Sequence, residues 1–206
     1  MAETRHLESG LPVVEVALQP GKPVALLGSG LTRFGLWLLR EAAASGTVGY
    51  LDVGGRLCPA AAWEVGLEPA RLVIVRCEDP RRWAQVAAAL VEGLGAVCLT
   101  VPTGVPDQLL RRLTALARSR RRLVALLARR RELPAGVAHL RLRVRAEVWE
   151  GTDGGHGHLQ RRRLILEISG KATGGMSRII EVEDDGADTM SVVPGLAAAP
   201  ERRAVG

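Results

Sequence analysis

The sequence has few aromatic residues and almost no lysine. Aromatic side chains make up 3% of the 206 residues, and only Lys22 and Lys171 are lysines, so that the net charge of +6 comes almost entirely from arginine. Proteins that read the bases of single strands stack them on aromatic rings, and this composition argues against base-specific reading of single strands. The positive charge alone is compatible with binding to nucleic acid and also with an arginine-rich codon usage.

Cysteine is also scarce, and no long apolar run is present. Cys58, Cys77 and Cys98 form no C-x-x-C pair, which predicts free thiols in a reducing compartment and no metal site. No stretch reaches the roughly 18 uninterrupted apolar residues of a membrane span. The first residues lack the charged-then-apolar pattern of a signal peptide. We therefore expect a cytoplasmic protein without a membrane partner, and association with the nucleoid remains open.

The chain length predicts a single domain over residues 1–183, with residues 1–10 loose. The last part, 184–206, is acidic and then rich in Ala, Pro and Gly, which predicts a disordered tail. Between these limits, short apolar runs alternate with segments of helical periodicity as far as residue 127, after a first strand predicted at 13–18. Continuous apolar strands that alternate with helices predict an α/β fold with a mainly parallel sheet, flanked by helices on both faces.

The pattern changes near residue 139. Residues 139–149 alternate between apolar and charged side chains, and residues 163–169 do so again. Alternation with a period of two is typical of half-buried strands. It predicts a C-terminal antiparallel β-hairpin, with 177–182 as a further edge strand.

Residues 23–39 are organised as a strand, a glycine turn and a helix, the arrangement that cradles phosphate in nucleotide-binding proteins. A working P-loop reads G-x-x-x-x-G-K-[ST]. This sequence has neither the lysine nor the hydroxyl residue. No ammonium group therefore contacts the β/γ-phosphates, and Mg²⁺ lacks one of its ligands. We predict a degenerate P-loop and no cofactor, and the alternative of an ordinary turn that never bound phosphate remains open. The positions concerned are Gly28, Ser29 and Gly30 in the turn, and Arg33, Phe34 and Gly35 in place of the second glycine, the lysine and the hydroxyl residue.

The segments 49–52, 57–59, 64–67 and 71–75 resemble, in order and spacing, the core of RecA-type recombinases. The resemblance covers about residues 12–183 and implies a RecA-like core. The catalytic glutamate of that family would fall at Gly54, and its Mg²⁺-associated aspartate near Thr100 or Val101. The resemblance therefore implies a pseudo-ATPase, not an enzyme. From the residues themselves, Asp52 is expected to cap the turn that follows its strand.

Short RecA-like chains without an ATP site resemble ImuA proteins, the accessory proteins of mutagenic translesion synthesis. This resemblance implies a non-catalytic adaptor in DNA repair and damage tolerance within the SOS response. The implied partner is a Y-family polymerase-like protein of the ImuB type, with RecA and DNA as further candidates and no small-molecule substrate. The chain also resembles the smaller SulA-type division inhibitors, which would imply a tubulin-like GTPase as partner.

Residues 107–145 carry twelve arginines against two acidic residues, a net charge of +10. Such a concentration is a candidate footprint for phosphate backbones or an acidic partner, and a solvated helix face with strand-end arginines is the alternative. A second candidate surface for a partner comprises strand 72–75 and helix 83–94, where β-augmentation is hypothesised. The candidate binding arginines are Arg111, Arg112, Arg118, Arg120, Arg121, Arg122, Arg129, Arg130 and Arg131.

Overall fold

The computed structural model of the chain describes residues 19–151, 161–184 and 190–192. The strand predicted at 13–18, the loose residues 1–10 and most of the predicted tail lie outside these ranges. Helices alternate with strands up to residue 128, as predicted. The strands are β1 (Val24–Leu27), β2 (Val48–Asp52), β3 (Leu72–Arg76), β4 (Ala96–Thr100), β5 (Leu123–Ala128), β6 (Leu140–Glu150), β7 (Arg161–Gly170), β8 (Arg178–Asp184) and β9 (Met190–Val192), and the helices are α1 (Thr32–Ala43), α2 (Ala60–Trp63), α3 (Pro80–Gly93) and α4 (Asp107–Ser119).

The strands of the described ranges form one sheet in the order β3-β2-β4-β5-β1-β6-β7-β8-β9. β1 lies near the middle, where Val24 is in register with Ala125 of β5 and Leu140 of β6, both in parallel strands. β7, β8 and β9 continue the sheet with antiparallel pairing. The predicted α/β fold, with a mainly parallel sheet and a C-terminal antiparallel hairpin, is confirmed.

The apolar residues separate into two clusters, one on each face of the sheet. α1 covers one face, where Phe34, Trp37 and Leu38 pack with Leu26 and Tyr50. α3 and α4 cover the other face through residues such as Trp83 and Leu110. β1 and β5 are buried along their whole length, which explains their uninterrupted apolar runs.

The hairpin strands have one apolar and one charged face. Leu142, Leu164 and Leu166 are fully buried in the cluster with α1. The opposite face carries ion pairs between neighbouring strands, such as Arg163 Nε to Glu181 Oε1 at 3.0 Å and Arg161 Nε to Glu183 Oε1 at 2.8 Å. Beyond β6, the sheet therefore continues through the antiparallel strands β7, β8 and β9.

The predicted tail, 184–206, contains a short strand. Met190–Val192 pairs with β8, with Val192 in register with Val182. These three residues and Asp184 are the only residues of the predicted tail that the structure describes, so the prediction of disorder for 184–206 stays a prediction. In the described ranges, no helix has the length and apolar character needed to cross a membrane.

Candidate functional site

The glycine turn lies at the carboxyl end of β1, in the middle of the sheet. Ligands of open α/β sheets bind at this edge. Gly28 and Gly30 have φ angles of 107° and 82°, in the left-handed region that glycine adopts readily. The Gly28 N–H donates to the Ala128 carbonyl at 3.0 Å, and α1 begins directly afterwards at Thr32. The turn has the backbone setting of a phosphate site.

An arginine from the hairpin closes this turn. The Arg162 Nη2 donates to the Gly30 carbonyl at 2.6 Å, and its Nε donates to Glu147 Oε1 at 2.7 Å. The guanidinium carbon lies 5.1 Å from the ring centroid of Trp149, and Arg162 is only 8% exposed. A carbonyl, a carboxylate and an aromatic face together suit a cation. The turn therefore offers the hairpin a carbonyl acceptor that binds a cation, whereas a phosphate cradle offers N–H donors.

The approach of Arg162 depends on the absence of a side chain at residue 30. A Cβ at Gly30 would lie 2.2 Å from Arg162 Nη2 and 3.1 Å from Glu147 Oε2. Any larger residue would displace the guanidinium, in addition to the strain of a positive φ angle. Gly30 is therefore required by the closed turn itself, without any bound phosphate.

Two further arginines hold the start of α1. The Arg129 Nη2, at the end of β5, donates to Thr32 Oγ1 at 2.9 Å. Arg33, which occupies the position of the second P-loop glycine, forms an ion pair with Asp184 at 3.0 Å between Nε and Oδ1. Asp184 is buried, so this ion pair is shielded from solvent. Arg33 thus joins α1 to β8.

The two remaining P-loop positions are occupied for packing reasons. Phe34, in the place of the lysine, is buried and its ring centroid lies 5.7 Å from that of Trp37. A Cβ at Gly35, in the place of the hydroxyl residue, would lie 2.9 Å from Cys98 Sγ. Burial raises the pKa of the Cys98 thiol to about 12, which keeps it neutral and unreactive. A side chain at residue 35 would therefore require the Cys98 side chain to shift.

Asp52, at the end of β2, and Thr100, near the position expected for the Mg²⁺-associated aspartate, both form hydrogen bonds with the backbone. The Asp52 carboxylate accepts hydrogen bonds from the Arg56 and Leu57 N–H groups at 3.1 and 3.0 Å, so its predicted capping role is confirmed. Thr100 Oγ1 donates to the Leu51 carbonyl at 2.6 Å and accepts from the Val53 N–H at 2.8 Å. In the described ranges, no group of three or more His, Cys, Asp or Glu side chains could hold a metal ion.

Several of the predicted binding arginines hold the segment 129–139, here called the arginine-bound loop. Arg111 and Arg118 donate to the carbonyls of Ala135 and Gly136, each at 2.9 Å. Arg131 donates to the Val105 carbonyl at 2.6 Å and pairs with Asp107 Oδ1 at 2.9 Å. Ala135 and Gly136 are exposed, so these hydrogen bonds join α4 to a surface loop that has no regular secondary structure. These guanidinium groups have a structural role.

The nine predicted arginines therefore divide into two sets. Arg120 and Arg122 contact Glu92 at 3.9 and 3.4 Å, and Arg129 contacts Thr32 as described above. Three others are exposed and have no polar partner within the described ranges. We call them the free arginines: Arg112, Arg121 and Arg130.

A small cleft of about 250 Å³ lies between Gly28 and the arginine-bound loop. Arg129, Arg130 and Arg143 line it together with Glu132. The hydrogen bond from Arg143 holds the pKa of the Glu132 carboxyl below its usual value. The cleft is thus cationic, with one carboxylate that stays ionised near neutral pH.

Sequence reasoning did not identify Arg162, although a signal for it exists. Arg162 precedes Leu164 by two residues in β7, and alternate residues of a strand share a face. Leu164 faces the apolar cluster under α1, so Arg162 is directed to the buried side of the hairpin. An arginine at an inward position of a strand indicates a buried acceptor elsewhere in the chain.

Residues 12–134 of the chain match the family described as MT3502 N-terminal domain. The match covers more than half of the 206 residues and includes β1, the glycine turn, α1 and β5. No curated protein matches the sequence.

Proposed function

The chain belongs to the MT3502 N-terminal domain family. From the geometry of the glycine turn and the resemblance in the sequence, we propose that it is a non-catalytic RecA-like adaptor in DNA-damage tolerance. In this role it binds a Y-family polymerase-like protein of the ImuB type during mutagenic translesion synthesis, and it contacts DNA through the free arginines. The observation that carries the proposal is the phosphate-type turn, which is filled by Arg162 from the same chain.

The geometry of the turn argues for binding over hydrolysis. Phosphoryl transfer from ATP needs a cradle for the phosphates, a Mg²⁺ ligand and a group that positions the attacking water. A phosphate at this turn would have to displace Arg162 and would then face the Glu147 carboxylate and the Gly30 carbonyl. Gly35 supplies no hydroxyl for Mg²⁺, and Gly54 supplies no acid.

The fold supports the RecA-like part of the proposal. The glycine turn follows a central parallel strand, and the sheet continues through an antiparallel hairpin, as the resemblance in the sequence implies. An adaptor of this kind keeps the α/β core as a rigid scaffold, and its turn is held without a nucleotide. Its activity would then depend on the surfaces that it presents to other macromolecules.

Two measurements test the proposal. Isothermal titration of the full chain with ATP and Mg²⁺ should give no binding heat, and saturable binding would overturn the pseudo-ATPase assignment. Co-purification of the tagged full chain from cells with damaged DNA should recover a Y-family polymerase-like protein. Recovery of a tubulin-like GTPase without a polymerase would replace this proposal with a division inhibitor.

A further inference from the structure

Five adjacent strands share a border at the edge of the sheet opposite the glycine turn. β5, β1 and β6 are parallel and begin there, the antiparallel β7 ends there, and β8 begins there. The Gly21 N–H donates to the Arg122 carbonyl at 2.9 Å, and the His139 N–H donates to the Pro23 carbonyl at 2.7 Å. The Ala172 N–H donates to the His139 carbonyl at 3.3 Å. These backbone hydrogen bonds join the flanking segments into one continuous border.

The border carries positive charge and no negative charge. Its segments, 118–122, 19–23, 136–139 and 170–178, contain no Asp or Glu. Four of its cations are exposed, and their charged groups form no hydrogen bond or ion pair within the described ranges. We call these four cations the basic edge: Lys22, Arg121, Lys171 and Arg178.

His139 lies between Lys22 and Lys171, which are the only lysines of the chain. Burial is the main cause that lowers the pKa of its imidazole, and Lys22, Lys171 and Arg118 lower it further. The fold therefore brings these cations close to one another, although they are far apart in the sequence. Repulsion among cations at one place is relieved when an anion binds.

Arg121 has a backbone conformation that arginine rarely adopts. Its φ angle is 51°, and in the described ranges all other positive φ angles belong to glycine. The Arg122 N–H donates to the Ala117 carbonyl at 2.9 Å, and the Arg121 N–H donates to the Arg118 carbonyl at 3.2 Å. This Schellman motif at the end of α4 usually has glycine or asparagine at the position of Arg121. A strained arginine here points to a function for the cation itself.

The charges form a row, and its length indicates the shape of the ligand. Neighbouring strands lie about 4.8 Å apart, so the four steps from β5 to β8 span about 19 Å. One strand of a DNA duplex has a phosphate about every 3.4 Å along the helix axis, so about five or six phosphates match this length. A small anion would contact only part of the row. An acidic protein would need carboxylates in a line, whereas a phosphate backbone has that arrangement in every sequence.

We propose that the basic edge binds the phosphate backbone of duplex DNA without reading its sequence. This inference deepens the DNA contact of the proposed function, on which it rests, because it adds Lys22, Lys171 and Arg178 to Arg121. Each side chain contacts phosphate oxygens and releases condensed counterions. The scarcity of aromatic rings for base stacking favours a duplex over a single strand. DNA at this edge leaves the glycine turn uncovered.

The first test measures the affinity of the full chain for a short labelled duplex by fluorescence anisotropy at several salt concentrations. Lys22→Gln together with Lys171→Gln should lower the affinity about tenfold or more and reduce the salt slope by about 1.8, or about 0.9 for each lysine. The matched control is Arg81→Gln together with Arg82→Gln. It removes the same charge from exposed positions at the start of α3, on the opposite edge of the sheet, and should leave the salt slope unchanged.

Arg121→Gly separates binding from folding. Glycine adopts a positive φ angle without strain, so R121G should be at least as stable as the wild type in thermal denaturation. It should nevertheless bind the duplex several-fold more weakly, with a salt slope reduced by about 0.9. Weaker binding by a variant that is no less stable does not arise from unfolding.

The remaining outcomes decide against the proposal in different ways. Equal duplex binding by the wild type, K22Q/K171Q and R121G would overturn the basic edge and leave the proposed function standing, with DNA contacted through Arg112 and Arg130. A wild type that binds no duplex at low salt would overturn both the basic edge and the DNA contact of the proposed function, while co-purification still tests the adaptor role. Tighter binding to poly-glutamate than to the duplex would assign the edge to an acidic protein. Binding to phosphatidylserine vesicles but not to the duplex would assign it to a membrane, and either result would overturn the proposal.

Discussion

Arg162→Ala tests whether the closed turn is a structural unit of this fold. The substitution removes the guanidinium and leaves the Gly30 carbonyl and the Glu147 carboxylate without their donor. It also removes the contact with Trp149. Because Arg162 is the hairpin side chain that donates to the Gly30 carbonyl, we expect a loss of global stability together with loosening of residues 28–30.

The magnitude follows from these contacts. Breaking a buried ion pair costs about 3–5 kcal/mol, but the Glu147 side chain is 26% exposed, so water hydrates part of the carboxylate that remains. Loss of a hydrogen bond to a charged group costs about 1.5–3 kcal/mol, and loss of a cation–π contact costs about 0.5–1 kcal/mol. We expect R162A to lower the free energy of unfolding by about 2–4 kcal/mol.

Urea unfolding of the full chain, followed by circular dichroism, measures this loss as a shift of the midpoint at constant slope. Arg161→Ala is the control, because Arg161 is the neighbouring arginine on the other face and forms a half-exposed pair with Glu183. R161A should cost no more than about 1 kcal/mol. The reasoning is refuted if R162A and R161A unfold at the same urea concentration.

A double-mutant cycle separates this contact from general packing. Glu147→Gln alone removes the charge partner of Arg162 but keeps the shape of the side chain. If the two residues stabilise the fold together, the effect of R162A should be smaller by about 1–3 kcal/mol in the E147Q background. Additive effects would mean that the arginine acts through its contact with Gly30 and its packing alone.

Three further predictions concern other parts of the molecule. Gly35→Ala should destabilise the fold by about 1–3 kcal/mol through its contact with Cys98, and denaturation should show relief of this loss in the C98A background. Joint replacement of the three free arginines by Ala should weaken duplex binding for all sequences and reduce the salt slope by about 0.9 for each phosphate that is no longer neutralised, whereas unchanged binding would assign DNA binding to another surface. Burial, with added repulsion from nearby Lys22 and Lys171, lowers the pKa of His139 in the folded state. The contribution of His139 to stability is therefore fully present above its unfolded-state pKa of about 6.5, and it is lost as pH falls below that pKa toward the lower folded-state pKa. Melting measured as a function of pH should show a weaker decrease in stability for H139Q.

The elements of the parallel half could be predicted from sequence because each has its own local signal. Glycine and proline separate the apolar runs from the periodic segments, as Gly46 does before β2 and Pro106 before α4. A local rule would make Asp107 the N-cap of α4, but Pro106 holds that position and Asp107 pairs with Arg131. The role of Asp107 is thus set by a contact with a residue far away in the sequence and not by the local capping rule.

At the glycine turn, the sequence alone showed only which residues of the P-loop motif are absent. Arg33, Phe34 and Gly35 depart from the P-loop motif, and this departure can be recognised from spacing alone. The group that replaces the phosphate comes from Arg162, 132 residues after Gly30, and no spacing rule connects the two. The arginine-rich stretch was open to two interpretations because its arginines donate mainly to backbone carbonyls. Every residue has a carbonyl, so the sequence does not show which of them accept a hydrogen bond.

The contacts that close the turn also lie outside the part of the chain that defines the family. The match ends at residue 134, before β6 and β7 contribute Glu147, Trp149 and Arg162. The matched region supplies the glycine turn and the helix, and the hairpin supplies the cation that fills the turn. β6 also pairs with β1 along the whole length of β1, so the hairpin cannot separate from the turn without opening the centre of the sheet. The hairpin that carries Arg162 is therefore anchored at the centre of the sheet, and this arrangement supports the proposal of a binding role that does not depend on nucleotide.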